Sequence, residues 1–312
     1  LLGTPSQEIQ TPYFVQSSDL ATSYLRFLST ISVSGLSGVL SIFILFKILN
    51  YFKPEERKKN LIISIFTGLG SLVFTYSTVL DRIMPATLFL LTGVYLWVKT
   101  RDSDQAKTSD YLKIYLLLGL GISSSYIIVI PTTCLIATDI LRYHFRNKNQ
   151  VKLPSAMYGL ILGLLPLLMY NLFSAGTMFD FSLAVELLNP GIQSKFTAID
   201  LFISPRIGLF LYSPLALLSL LSLIKLYNFD DELFAFISLS FFFSLVAILF
   251  TTGWTSSTSF GLKYLVPATA LLFISLGLTT TDLSKKKLYG VYLVGTIGFF
   301  IQLTSTQPWA SK

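Results

Sequence analysis

The sequence predicts an all-α fold, a polytopic transmembrane helical bundle of about ten membrane segments. Three observations carry that expectation. Of the 312 residues 53% are hydrophobic and only 12% are charged, about half the charged fraction of a soluble globular chain. The mean hydropathy of +0.67 fits a surface that faces lipid over most of its area. Long apolar stretches alternate with short charged clusters along the whole chain. The same composition excludes a water-soluble enzyme, a disordered chain and a coiled coil. A single cysteine, Cys134, and a single histidine, His144, leave no internal disulfide and no Cys- or His-based metal site, so no metal is expected.

Stretches of about 20 apolar residues give spans at roughly 23–49, 61–79, 84–99, 154–173, 207–225, 233–252, 264–281 and 288–306. Residues 111–141 are too long for one helix and too short for two full spans, and charge decides how they are read. If they form a hairpin, 17 of the 23 Lys and Arg fall on one side, including Arg57 to Lys59, Arg142 to Lys152 and Lys285 to Lys287. A single span there would scatter the basic loops to both sides, against the bias of basic loops toward the cytoplasm. The hairpin gives ten segments with both chain ends outside. Its tip, at Ser123 to Ser125, is polar backbone at membrane depth, which needs protein or a wet cavity around it. A single tilted helix kinked at Pro131 is the competing reading.

The +7 net charge therefore reports orientation, and no nucleic acid is expected as a partner. The basic loops orient the chain and touch anionic membrane lipid, and His144 is a solvated loop residue among them. Outer segments are longer and more varied, carrying Asp81 and Arg82, then Asp180, Glu186, Asp200 and Arg206, then Trp254 and Lys263. Chemistry is expected on that face. No nucleotide-binding G-x-G-x-x-G or Walker pattern occurs anywhere, so an enzyme there needs an activated donor that arrives through the membrane.

Three stretches read together resemble a known family: SPRIGLFLYSP (Ser204 to Pro214), WTSSTSFGLKYLVP (Trp254 to Pro267) and TYSTVLDRIMPATLFLL (Thr75 to Leu91). In position relative to the spans they are similar to motifs of the GT-C superfamily. Those enzymes are polyprenyl-phosphate-sugar-dependent membrane glycosyltransferases, such as dolichyl-phosphate-mannose protein mannosyltransferases and the lipid A aminoarabinose transferase. YNLFSAGTMFDFS (Tyr170 to Ser182) also resembles a family stretch, and the likeness extends over about residues 60–280. It departs where Lys263 stands for an arginine and Leu262 for a proline, and where Ser123 to Tyr126 stand for an arginine-bearing turn; lysine keeps the charge but loses the bidentate fork.

The resemblance implies one domain over 1–312 that lacks the N-terminal span and most of the first outer loop. That loop would carry the family's catalytic acidic residue, the carboxylate base, so the chain is expected to start inside a longer protein and to be inactive alone. The donor would be a polyprenyl-phosphate-linked sugar, and the acceptor a protein, glycan or lipid. Transfer in one inverting displacement needs a carboxylate base, cations for the departing phosphate and an apolar groove. Asp81 is the internal candidate for the base. Arg206, Lys263 and Arg82 are the candidate cations, with Tyr264, Trp254 and Asp200 as further substrate contacts. Each also has a plainer reading: solvated or paired carboxylates, interfacial cations, and Trp254 as an interfacial anchor. A transporter or flippase, or a non-catalytic relative, are the competing functions; no internal repeat favours a transporter. The protein is expected in the plasma membrane as a multi-pass protein.

Overall fold

The computed structural model describes residues 20–103, 106–146, 153–178, 199–204, 208–250, 262–280 and 283–305, and all regular structure among them is helical. The first helix begins as α1 (Leu20–Ser29), passes through a π-turn (Thr30–Gly35) and continues as α2 (Leu36–Phe52). After a 3-10 turn at Pro54–Glu56 come α3 (Arg57–Leu69), α4 (Leu72–Ser77), α5 (Ile83–Arg101), α6 (Thr108–Ser124), α7 (Val129–Arg146) and α8 (Leu153–Ala175). Two one-turn helices, α9 (Asp200–Ile203) and α10 (Leu209–Tyr212), lead into α11 (Pro214–Phe229) and α12 (Asp231–Phe250), followed by α13 (Val266–Thr280) and α14 (Lys285–Ser305). Among the described residues six helices are long and apolar enough to cross a membrane: Ser23–Phe52, Ile83–Arg101, Pro154–Ala175, Asp231–Leu249, Lys263–Thr280 and Lys285–Thr304.

Residues 111–141 turn back on themselves. The Tyr115 hydroxyl donates to Asp139 Oδ2 at 2.6 Å across 24 residues, a separation that one continuous helix would stretch to about 36 Å. That bond fits the hairpin and leaves no room for the kinked single helix. Pro131 sits in the first turn of α7, where its missing N–H costs no ladder bond. The reversal is tighter than a three-serine loop. Ser123 and Ser124 are the last residues of α6, Ser125 alone is extended, and a 3-10 turn over Tyr126–Ile128 starts the return.

α6 and α8 make the most intimate pairing of the bundle. Gly159 and Gly163, four residues apart on α8, lie against Leu112, Leu116 and Gly119 of α6 so closely that any Cβ there would strike backbone. Without a hydrophobic drive between helices in lipid, close backbone approach supplies the dispersion contact that holds them. The Ser123 hydroxyl adds a bond to the Gly163 carbonyl at 2.8 Å. The outward face of α8 (Tyr158, Ile161, Leu165, Met169, Phe173) is exposed and apolar, the pattern of a lipid-facing surface. α13 is the opposite case, buried along its whole length. Its Ser275 hydroxyl lies 2.7 Å from Ser222 and donates to the Ser219 carbonyl at 2.9 Å, polar contacts that bind α13 to α11.

Two helices are interrupted at the same place. The expected span 61–79 breaks at Gly70 and Ser71, and 207–225 breaks at Ser213. The breaks satisfy each other: the Leu72 N–H donates to Ser213 Oγ at 3.1 Å, and Gln302 of α14 bonds both Thr75 and the Tyr212 carbonyl. Irregular backbone at membrane depth is tolerated when protein supplies the partners.

The basic end of the bundle corrects one expectation. Arg142, taken from the sequence as a loop charge that orients the chain, is buried, and Arg101 is buried with it. Arg101 forks onto Asp230, lies 3.6 Å from Glu232 and covers Trp97 at 4.8 Å; Arg142 lies 3.6 Å from Glu232 and donates to the Arg101 carbonyl. Beneath them Asp139, 1% exposed, accepts from Trp97 Nε1 at 2.7 Å and from Tyr115. Buried charges persist only when paired and hydrogen-bonded, and this cluster ties α5, α6, α7 and α12 together.

Gly163→Leu should destabilise the protein by about 1–3 kcal/mol through overpacking, read as a lower unfolding midpoint in detergent. Gly290→Leu is the control, since its Cβ would meet open space; equal shifts in the two variants would contradict the α6–α8 contact.

Candidate functional site

The end of the bundle opposite the basic loops holds a cavity of about 450 Å³, within the size range of small-molecule sites. Its walls come from the π-turn (Val33), the start of α5 (Arg82, Pro85), the α6 tip (Ile122 to Tyr126) and α8 (Pro166, Leu167, Tyr170, Asn171). Local sequence explains each wall. Pro166 inside α8 cannot donate to the preceding turn, which leaves a carbonyl of α8 without its ladder bond there. α8 then ends at Gly176, whose left-handed φ of 74° suits a residue without a side chain. The π-turn is a rare geometry associated with functional sites; here its Ser34 hydroxyl accepts from the Asp81 N–H at 3.0 Å and donates to the Asp81 carbonyl at 3.2 Å. That pair of bonds fixes the turn on which Arg82 sits.

The sequence-predicted residues divide into two groups. Asp81 and Lys263, 182 positions apart, meet as an ion pair at 3.0 Å. The other Asp81 oxygen, Oδ1, accepts from the Ile83 N–H at 2.9 Å, so both carboxylate oxygens are engaged in fixing the turn. Lys263 also lies over the Tyr264 ring, 5.4 Å from its centroid. Arg82 stands apart from this pair. Its side chain is exposed on the cavity wall and has no ion-pair partner among the described residues. Asp200 begins α9, half-buried, and is not part of the cavity wall. Arg206 and Trp254 lie outside the described residues, as do Asp180 and Glu186. No group of His, Cys, Asp and Glu suited to a metal ion occurs among the described residues.

Sequence reasoning missed Asn171 and Tyr170 as wall residues, and treated Ser34 as part of an apolar span. The 182-residue separation of Asp81 and Lys263 carries no local signal. Chemically the cavity offers one unpaired guanidinium, the hydroxyls of Ser123, Ser124, Ser125 and Tyr126, an amide at Asn171, and otherwise apolar walls. That set suits an anion attached to an apolar body.

No family model, no curated protein and no solved structure matches this chain.

A double-mutant cycle on Asp81→Asn and Lys263→Met should return a coupling on the order of 1 kcal/mol in unfolding experiments. Additive effects of the two substitutions would mean that the pair does not hold the Asp81–Arg82 turn.

Proposed function

We propose that this chain is the membrane core of a GT-C-type glycosyltransferase that moves a sugar from a polyprenyl phosphate to a protein, glycan or lipid acceptor. In this reading it is a multi-pass plasma-membrane protein of ten segments, with the cavity on the outer face. The observation that carries the reading is the Arg82 guanidinium, without an ion-pair partner among the described residues, in a cavity walled by hydroxyls, an amide and apolar side chains at the non-basic end of the bundle. In the displacement, the acceptor oxygen bonds to the anomeric carbon as the bond from that carbon to the phosphate oxygen breaks. The electron pair leaves with the phosphate, and the acceptor proton passes to a carboxylate. Arg82 is the group suited to the phosphate, since a guanidinium grips it bidentately. Lys263 and Arg206 remain secondary candidates, Lys263 because Asp81 already holds it. Asp81, with both oxygens engaged, fits the role of fixing Arg82 and Lys263 better than that of base.

One observation favours a transporter as the second reading. The two interrupted helices that meet at Ser71 and Ser213 have the form of the discontinuous helices that build transport sites. Reconstituted protein given a labelled lipid-linked sugar separates the two: label appearing on an acceptor supports the transferase, and lipid-linked label moved intact across the bilayer supports the transporter.

Arg82→Ala should weaken donor binding by about tenfold or more, because a hydrogen bond to a charged group is worth roughly 1.5–3 kcal/mol. Titration with a prenyl-phosphate sugar measures it; unchanged affinity with normal folding would remove Arg82 from the site. For sidedness, Ser124→Cys in intact cells should react with a membrane-impermeant thiol reagent, while Lys58→Cys should react only after the membrane is opened. The reverse pattern would overturn the ten-segment topology.

A further inference from the structure

At the basic end of the bundle the fold brings together two runs of cations that are far apart in sequence. α3 begins Arg57-Lys58-Lys59 and α14 begins Lys285-Lys286-Lys287. The two helices run parallel and touch from Phe66 and Tyr292 onward. The Phe66 and Tyr292 rings stack at 5.3 Å between centroids, and the Gly70 backbone lies against Gly295 and Gly298. From Gly70 back to Lys58 is about 18 Å of helix and from Gly295 back to Lys286 about 13 Å, so the two basic turns end at nearly the same height. Arg57, Lys58 and the three lysines of α14 are exposed and have no ion pair among the described residues; Lys59 alone is paired, with Glu56 at 2.8 Å.

This convergence is unfavourable without a ligand. Six cations face Glu55 and Glu56, with Asp282 nearby in sequence and outside the described residues, leaving a net charge of +3. All six sit at helix amino termini, where the helix dipole repels cations. Lys99, at the carboxyl end of α5, has the favourable placement by contrast. Orientation in the membrane requires only that cations lie on one side, and sets no requirement that two runs stand side by side. Parallel helices in contact have axes 8–10 Å apart, a spacing suited to two phosphates on one headgroup. Tyr289, exposed one turn into α14, supplies an amphipathic ring of the kind that sits at headgroup level.

We infer that the paired amino-terminal turns of α3 and α14 form a binding site for an anionic phospholipid whose headgroup carries two phosphates. The site is separate from the cavity at the other end and independent of the transferase reading. The test uses purified protein in phosphatidylcholine discs doped with cardiolipin, with bound lipid counted by native mass spectrometry. Neutralising Arg57, Lys58, Lys285 and Lys286 to Gln should cut retained cardiolipin by at least about tenfold, given roughly 1 kcal/mol per cation near an anionic surface. The half-variants R57Q/K58Q and K285Q/K286Q should each lose part of it, and either suffices if the quadruple variant does not fold. Lys99→Gln with Lys113→Gln, on neighbouring helices, should retain the wild-type amount. Inorganic phosphate should not displace the lipid. Equal losses in the Lys99/Lys113 control would reduce the patch to diffuse attraction, and displacement by inorganic phosphate would make it a free-phosphate site; either result overturns the inference.

Discussion

The Asp139 carboxylate is the constraint on which the rest of this bundle depends. A carboxylate in an apolar interior must find donors or destabilise the fold, and here the donors come from two other helices, Trp97 on α5 and Tyr115 on α6. Meeting Tyr115 forces the chain to reverse between α6 and α7. Meeting Trp97 seats that reversed pair against α5, and the Arg101 and Arg142 guanidiniums close over it with Asp230 and Glu232. Truncating one member of such a network leaves its partners buried and unpaired, which is why these groups act as one unit.

Everything at the opposite end follows from that reversal. With α6 and α7 pinned near their basic ends, the turn at Ser125 projects to the far side, where α8, locked to α6 by Gly159 and Gly163, brings Pro166 and Asn171 alongside. The π-turn of the first helix supplies the remaining wall, and through Ser34 it fixes the Asp81–Arg82 turn. A cation thus reaches the cavity on a short turn braced by three contacts: Ser34 from one side, Lys263 from another and the Ile83 N–H from below. Preorganisation of this kind lowers the cost of holding an anion, because the turn that carries the guanidinium is already fixed.

Much of this was legible in the sequence. Apolar length located the helices, and the one-sided distribution of Lys and Arg selected a hairpin over a kinked helix at 111–141, as the Tyr115–Asp139 bond requires. The serine tip was legible because polar backbone at that depth needs a reason. Other features had no local signal. Arg101 and Arg142 look like ordinary flanking charges until Asp230 and Glu232, far along the chain, cover them. The interruption at Gly70–Ser71 hides in an apolar stretch because its partner, Ser213, lies 141 residues away from Leu72. The G-x-x-x-G spacing at 159–163 was present in the sequence, and reading it as a helix-contact motif would have found the α6–α8 pairing. Arg82 and Lys263 look alike as cations near outer helix ends; only folding distinguishes the one held by a carboxylate from the one left facing a cavity.

The most direct test is a cryo-electron microscopy structure of the protein in a lipid disc containing a prenyl monophosphate. The account predicts phosphate density in the cavity within hydrogen-bond reach of the Arg82 guanidinium, the Asp81–Lys263 pair intact, and the prenyl chain leaving along apolar wall residues. Phosphate seated on Lys263 with Asp81 displaced, or a cavity without phosphate at saturating ligand, would contradict it.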